Sequence, residues 1–430
     1  MSVDSTDTAP TRAAAAPSLA EATLLYARIG LMSFGGPAGQ IALMQSEIVE
    51  RRGWVRPAAF DQALSFSMML PGPEAQQLAT WLGWRVHGLA GGLAAGGLFV
   101  LPGAFFMLLL AWLAAAGGEV PLVAAVFAGV QPVVIAVVLQ AMRKLAGRAL
   151  GAPPAYVLAV MAFLALAAAG LPFPLIVAFA AVAGLVIDLG ASATPDADQA
   201  PDEATRNSLM RRGGWIVGVS VAIVITVYAV IRLAGGTDPF DGVAELFTSA
   251  AFVSFGGAYA LLPYVADRAV EAYGWLNAEQ MLNGLAIAEA TPGPLILVTT
   301  YAGFFAGWTA SEGAVATAML AGGLATFYTF APSFMLILTF APIVERVQNV
   351  PWARRALAGV SAAVVGVIAN LAVYLAEAAF LPTGLADPAW AKIALFAIAL
   401  YLVFGRGIGV LTLVGLGALA GIALHLVGLL

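Results

Sequence analysis

Four short motifs supply residue types that can interrupt a helix and bind an anion. Two Ser-Phe-Gly-Gly motifs begin at Ser33 and Ser254, and two Pro-Gly-Pro motifs begin at Pro71 and Pro292. Proline ends a helix, glycine lets a solute approach the backbone, and the free N–H groups at a helix start attract anions. The sequence therefore predicts an anion site at the breaks, formed by Ser33, Gly35, Gly36, Pro71, Gly72, Pro73, Ser254, Gly256, Gly257, Pro292, Gly293 and Pro294.

Uncharged hydrogen-bond donors lie close to these motifs or in the apolar runs that follow. The candidates for the same anion site are Gln40, Gln77, Gln140, Thr291 and Asn370. Such groups can replace the hydration shell of an oxyanion, although an isolated polar side chain in a membrane helix also serves to bond a neighbouring helix. Gln140 and Asn370 correspond to each other in the repeat described below, which favours a role for both in the site.

Three ionisable residues fall inside apolar sequence, where such residues are functional candidates by default. Arg28 precedes the first Ser-Phe-Gly-Gly motif and is predicted to bind the anion or to pair with an acid such as Glu74. Glu74 follows the first Pro-Gly-Pro motif and Glu289 precedes the second. An anion site does not itself need a carboxylate, so these two acids are predicted to couple transport to protons. A carboxylate near a helix N-terminus is also an ordinary cap, which is the alternative role for Glu74.

The motifs recur because the chain is duplicated. The second set follows the first after 221 residues, and Gly53-Trp54 and Gly274-Trp275 keep the same spacing. Further along, Gly129-Val130 matches Gly359-Val360 at a spacing of 230 residues. Apolar runs follow the motifs in both halves, at 89–116, 120–142, 154–170 and 172–189, and again at 314–341, 353–376, 389–404 and 408–428.

Composition places these runs in a membrane. Only 10% of the 430 residues are charged, 61% are hydrophobic, and the mean hydropathy is +0.93, whereas a soluble domain has about 25% charged residues. The chain has no cysteine and two histidines, so thiol chemistry is excluded, and we expect no metal, cofactor or nucleic-acid partner. No cluster of acids suits a membrane enzyme. The sequence predicts an all-α polytopic membrane protein.

The organisation predicted from the duplication has five parts. Residues 1–17 form a disordered tail, 18–189 the first repeat, 190–213 a polar cytoplasmic linker, 214–234 a connecting transmembrane helix, and 235–430 the second repeat. Basic residues follow the 120–142 run but precede the equivalent 353–376 run. By the positive-inside rule the two halves are therefore inverted. Lys392 is a single exception on the outer side.

The broken segments either cross the bilayer or return to their side of origin. Phe60–Leu70 and Glu74–Trp84 each hold eleven residues, which span about 16 Å, roughly half the hydrocarbon core. Re-entrant hairpins would place Arg51, Arg52 and Arg56 in the cytoplasm and leave nine full crossings, whereas crossing segments give thirteen. We favour the hairpins.

The strings SFGGPAGQIALMQSEIVERRGWV and LPGPEAQQLATWLGW, together with their second copies, resemble the chromate ion transporter family in its long, two-domain form. The resemblance implies export of chromate from the cytoplasm across the inner membrane, driven by the membrane potential or a proton gradient, with sulfate as the expected competitor. Ala258 and Leu295 depart from the first copy, which has Pro37 and Glu74 there. Transport of sulfate or another oxyanion, an anion channel, and assembly as a homodimer stay open.

Overall fold

The computed structural model describes residues 17–34, 36–117, 120–187, 189, 203–236, 238–255, 257–344, 351–382 and 384–429. Residues 1–16 of the predicted tail, 190–202 of the predicted linker, Gly35 and Gly256 lie outside these ranges. The α-helices are α1 (Leu19–Met32), α2 (Gly36–Met44), α3 (Pro57–Ser67), α4 (Glu74–Gly117), α5 (Pro121–Ala149), α6 (Pro153–Ala167), α7 (Phe173–Val186), α8 (Glu203–Leu233), α9 (Phe240–Val253), α10 (Ala258–Ala266), α11 (Ala278–Ala290), α12 (Val298–Ala310), α13 (Val315–Phe340), α14 (Pro351–Phe380), α15 (Trp390–Gly405) and α16 (Val410–Leu426).

The order of elements confirms the duplication. Helices α1 to α3 correspond to α9 to α11, and α5 to α7 correspond to α14 to α16. A short π-helical turn follows the second helix of each half, at Gln45–Glu50 and at Asp267–Ala272. Helix α8 has no counterpart. It begins at Glu203, so it extends into the segment that the sequence assigns to the linker.

Helix α4 is one chain segment with two arms. Its backbone leaves the helical region at His87 and Gly88, where Gly88 has a φ of 61°. A Cβ on Gly83 would lie 2.2 Å from the carbonyl oxygen of Gly91, so the first arm folds back along the second. The matching hairpin in the other half is α12 followed by α13, where Gly303 packs against Ala325.

The helix ends of the second half that lie away from the breaks contact one another. A Cβ on Gly242, at the start of α9, would lie 3.0 Å from the Trp275 ring, which follows the π-helical turn after α10. The Thr309 hydroxyl, at the end of α12, donates to the Trp275 carbonyl oxygen, which precedes α11 (2.8 Å). The ends of α9, α10, α11 and α12 that lie away from the breaks are therefore close together.

In the first half, the start of α1 lies beside the turn of α4, near the C-terminal end of α13. His87, at the turn of α4, donates from Nε2 to the carbonyl oxygen of Pro17, just before α1 (2.8 Å). The Trp81 indole on the first arm of α4 donates to the Ala341 carbonyl at the end of α13 (3.2 Å). The guanidinium of Arg212, near the start of α8, lies over the Trp84 ring.

Equivalent helices of the two halves run in opposite directions. Close contacts between α4 and α13 pair Gly92 with Leu338, Gly96 with Phe334, and Leu108 with Gly322, so residue numbers rise along one helix as they fall along the other. The last helices of each half pack on the other half, because α16 lies on α5 at Gly129 and α7 lies on α14 at Gly359. The fold is therefore an inverted repeat in which the last helix of each half packs on the other half.

The described part of the chain holds five helices that are long and apolar enough to span a bilayer, at Glu74–Gly117, Pro121–Ala149, Arg211–Leu233, Val315–Ile343 and Trp352–Phe380. Five shorter apolar helices accompany them. Together these helices make a multi-pass membrane protein.

Candidate functional site at the crossing of the broken helices

The broken helices of the two halves are joined by reciprocal backbone hydrogen bonds. The Gly72 amide donates to the Ser254 carbonyl oxygen (2.8 Å), and the Gly293 amide donates to the Ser33 carbonyl oxygen (2.9 Å). The φ angles of Gly72 and Gly293 are 118° and 101°, values at which any other residue is strained. We call these four residues the crossing. Its two glycine amides were predicted to face an anion, but in this conformation each is occupied by the opposite repeat.

Two glutamine side chains brace the crossing from the first half only. Gln40 Nε2 donates to the carbonyl oxygens of Gly293 (2.7 Å) and Ser33 (3.3 Å), and Gln77 Nε2 donates to that of Pro71 (2.7 Å). The equivalent positions in the second half hold Leu261 and Val298. Polar side chains of the first half therefore support the crossing, whereas the equivalent side chains of the second half are apolar.

The second break is packed more tightly than the first. A Cβ on Gly103 of α4 would lie 2.3 Å from the Pro292 carbonyl oxygen. The equivalent residue on α13 is Ser333, whose hydroxyl lies 3.0 Å from the position of a Cβ on Gly72. The Ser333 hydroxyl donates to Gln76 Oε1 (2.6 Å). The Ser333 side chain thus faces the first break, whereas the backbone at Gly103 packs directly against the second break.

A cavity of about 320 Å³ lies beside the first break and extends to the C-terminal end of α5. We call it the α5 cavity. Its polar and backbone-lined wall includes Ser67, Gly72, Glu74, Arg148, Gly257 and Ser361. The half-buried Glu74 approaches the second Ser-Phe-Gly-Gly motif, because its Oε1 lies 3.3 Å from the position of a Cβ on Gly257. The cavity therefore brings the first Pro-Gly-Pro motif, the second Ser-Phe-Gly-Gly motif and a guanidinium group together.

Ser67 is a lining residue that the sequence did not single out. Its hydroxyl is fully buried and has no hydrogen-bond partner among the described residues. A buried hydroxyl without a partner is costly, since burial removes its bonds to water. A bound oxyanion would supply the missing acceptor.

Lys144 and Arg148 are further residues that sequence reasoning missed as site candidates. They lie one turn apart on α5, and the charge of Arg148 acts on Glu74 while that of Lys144 acts on Glu289. Gln140 lies one turn before Lys144 on the same face. The sequence showed this spacing of four residues, but the charges were considered only as markers of orientation.

Glu289 is buried beside the second break. Its side chain is 7% exposed, and the Tyr259 hydroxyl donates a hydrogen bond to its Oε1. Thr291 uses its hydroxyl within the chain, donating to the Ala288 carbonyl oxygen (3.3 Å). Both predicted residues are therefore close to the second break, as their sequence positions require.

Arg28 and Asn370 lie elsewhere. Arg28 is exposed on α1, and Asn370 lines a different cavity with Asp267 and Glu271. Neither residue lines the α5 cavity, so the structure does not bring them together with the crossing.

The charge of Arg28 acts on Glu47, in a basic cluster that follows α2. Arg51 and Arg52 each approach the Glu47 carboxylate to 2.5 Å. The hydrogen bond from Arg52 lowers the pKa of Glu47 below its ordinary value, and the charge of Arg28 acts in the same direction. The charge of Arg28 therefore acts on Glu47, an acid other than the Glu74 that the sequence suggested as its partner.

Comparison with known proteins places the same two regions in one family. A family model described as Chromate transporter matches residues 20–185 and 242–422, which are the two repeats without α8. The chromate transport protein of Pseudomonas aeruginosa is 30% identical over 367 residues, which cover 82% of this chain and 80% of that protein. The chromate transport protein of Cupriavidus metallidurans is 26% identical over 403 residues, with coverages of 94% and 91%. No solved structure matches this chain.

Proposed function

This chain belongs to the chromate transporter family, and we propose that it is a secondary active transporter that exports chromate from the cytoplasm across the inner membrane. One observation carries the proposal beyond family membership. The α5 cavity, with Arg148 in its wall, reaches the point where the broken helices of the inverted repeats exchange hydrogen bonds. Inverted-repeat transporters place their substrate sites at such breaks near the bilayer midplane.

The orientation follows from the basic residues at the C-terminal end of α5. Arg143, Lys144 and Arg148 end this helix, so the positive-inside rule puts that end in the cytoplasm. The α5 cavity then opens to the cytoplasm, and the hairpins of the first half enter the bilayer from the cytoplasmic side. Those of the second half enter from the outside.

Chromate binding in the α5 cavity would use one guanidinium and two hydroxyl groups. The Arg148 guanidinium offers paired N–H donors that fit two oxygens of a tetrahedral oxyanion. The buried Ser67 hydroxyl offers a further donor, and Ser361 lies in the same wall. These contacts are needed because an unpaired charge in a low dielectric costs tens of kcal/mol.

Export is the direction that the membrane potential favours. The cytoplasm is negative, and one charge crossing 100 mV is worth about 2.3 kcal/mol. A dianion therefore gains about 4.6 kcal/mol per 100 mV on leaving the cell. Glu74 would add a proton linkage, because an ionised carboxylate in the cavity opposes the binding of a second anion.

The experiment that tests this function is chromate flux into inside-out proteoliposomes of the purified chain. We expect saturable uptake that increases with an inside-positive potential and responds to an imposed pH gradient. Competition by sulfate at equal affinity would instead favour a general oxyanion transporter. Flux that rises linearly with chromate and ignores the pH gradient would identify a channel, and no flux above empty vesicles would refute the proposal.

Replacement of Arg148 by alanine is expected to weaken chromate affinity about tenfold or more, because a charge-assisted hydrogen bond is lost. Equilibrium binding of chromate to the detergent-solubilised variant measures the change. Arg143→Ala is the matched control, since Arg143 lies on the same end of α5 but its guanidinium covers the Phe404 ring. A loss confined to Arg28→Ala would move the anion site to α1.

A further inference from the structure

A second polar cluster lies between the two repeats, away from the α5 cavity. Gln131 on α5 is fully buried, and its Nε2 donates to Glu279 Oε1 (3.0 Å) and to Asn283 Oδ1 (2.9 Å) on α11. The Lys392 ammonium on α15 donates to Gln131 Oε1 (2.8 Å). We call these four residues the Gln131 cluster. It joins a helix of the first repeat to two helices of the second.

The repeat relates residues of the Gln131 cluster to residues at the α5 cavity. The spacing of 230 residues that relates Gly129 to Gly359 also relates Gln131 to Ser361, and Ser361 lines the α5 cavity. Asn283 corresponds to Gln62 on α3, whose C-terminal residue Ser67 lines the same cavity. The inverted repeat therefore places the Gln131 cluster where the counterpart of the α5 cavity would open toward the other side.

We propose that the Gln131 cluster is the outer gate of the transporter, closed while the α5 cavity is open to the cytoplasm. The inference rests on the proposed function, since it needs a substrate path that opens on alternate sides. Closing the gate ties α5 and α15 to the N-terminal half of α11, the helix that ends at the second break. Opening it requires Lys392 and Asn283 to release Gln131, so that the path can reach the second Pro-Gly-Pro motif.

The chemistry of the cluster suits a gate better than a permanent contact. An apolar seal loses its stabilisation when water enters, whereas each group of this cluster exchanges a protein hydrogen bond for one to water. The cluster also accounts for Lys392, a basic residue that the predicted orientation leaves on the outer side. Its charge is held by Gln131 and lies near Glu279, so it serves in the seal.

The test uses the absence of cysteine from the natural chain. Ser361→Cys places a thiol at a half-buried position in the wall of the α5 cavity, and Ala288→Cys places one beside the second break, where Ala288 is 5% exposed. A membrane-impermeant thiol reagent is applied separately from each side of the vesicles. We expect rapid labelling of the Ser361→Cys chain from the cytoplasmic side and protection of the Ala288→Cys chain from both sides.

Adding Lys392→Met to the Ala288→Cys chain is expected to raise its labelling rate from the outside about tenfold or more, because the charged hydrogen bond of the gate is lost. Lys392→Arg, which retains the charge and the donors, is expected to restore protection. Asn283→Ala weakens the gate from α11 and replaces Lys392→Met if that chain does not fold. Unchanged protection in both weakened chains would overturn the proposal, and so would labelling of Ala288→Cys from the cytoplasmic side.

Labelling requires no chromate, so the labelling experiment tests the gate independently of chromate transport. Increased outer labelling in chains that carry no chromate flux would uphold the gate and refute chromate export. Chromate flux with labelling that ignores Lys392 and Asn283 would uphold export and refute this gate.

Discussion

Replacement of Glu74 by glutamine is expected to remove the pH dependence of chromate flux while the chain stays folded. Glutamine has nearly the same shape as glutamate but does not ionise. With Glu74 ionised, its carboxylate competes with a dianion for the positive field of Arg148, so chromate binds better when Glu74 is protonated. In the wild type, chromate affinity should therefore rise as the cytoplasmic pH falls. In Glu74→Gln it should be high and constant over the same pH range.

Chromate flux in proteoliposomes measures this effect at zero membrane potential with an imposed pH gradient, and thermal unfolding in detergent checks the fold. Glu289→Gln is the matched control, because Glu289 was also predicted to couple protons but is buried against Tyr259 outside the α5 cavity. If the pH dependence survives in Glu74→Gln and disappears in Glu289→Gln, the coupling group is Glu289. If the pH dependence survives in both variants, neither acid couples protons to transport.

The local features of the fold could be predicted because their causes are local. The Pro-Gly-Pro segments at 71–73 and 292–294 each separate two helices, because two prolines so close together do not fit in one continuous helix. The repeat spacing and the distribution of arginine and lysine indicated two inverted halves, and α4 and α13 do pack in opposite directions. These inferences needed composition and spacing, but no knowledge of which helices touch.

The contacts of the site could not be predicted, because they join residues far apart in the chain. Nothing near Gly72 indicates that its amide bonds to Ser254, or that Gln131 meets Lys392. Arg28 is a different case. The buried residues Ala22, Leu25, Tyr26 and Ile29 mark one face of α1, and this helical period already places Arg28 on the other face. The sequence interpretation gave more weight to the short distance along the chain between Arg28 and the break than to this helical period.

Replacement of Gly103 by alanine is expected to destabilise the closed second break, with a large loss of transport. The new Cβ would lie 2.3 Å from the Pro292 carbonyl oxygen and 2.6 Å from Leu297 Cδ1, and the carbonyl belongs to backbone that cannot rotate away. Either α4 or the second Pro-Gly-Pro motif must shift, which stretches the hydrogen bond from Gly293 to Ser33. Overpacking of this kind typically costs about 1–3 kcal/mol.

The control for Gly103→Ala is Gly97→Ala on the same arm of α4. A Cβ on Gly97 meets nothing within 4 Å, and alanine is the better helix former by about 1 kcal/mol. Thermal unfolding in detergent should therefore show a lower midpoint for Gly103→Ala and an equal or higher one for Gly97→Ala. Because Ser333 occupies the equivalent place at the first break, a side chain is tolerated where the α5 cavity leaves room and excluded where backbone meets backbone. Equal unfolding midpoints for the two variants would mean that the second break accommodates the added methyl group. The difference in packing between the halves would then not affect stability.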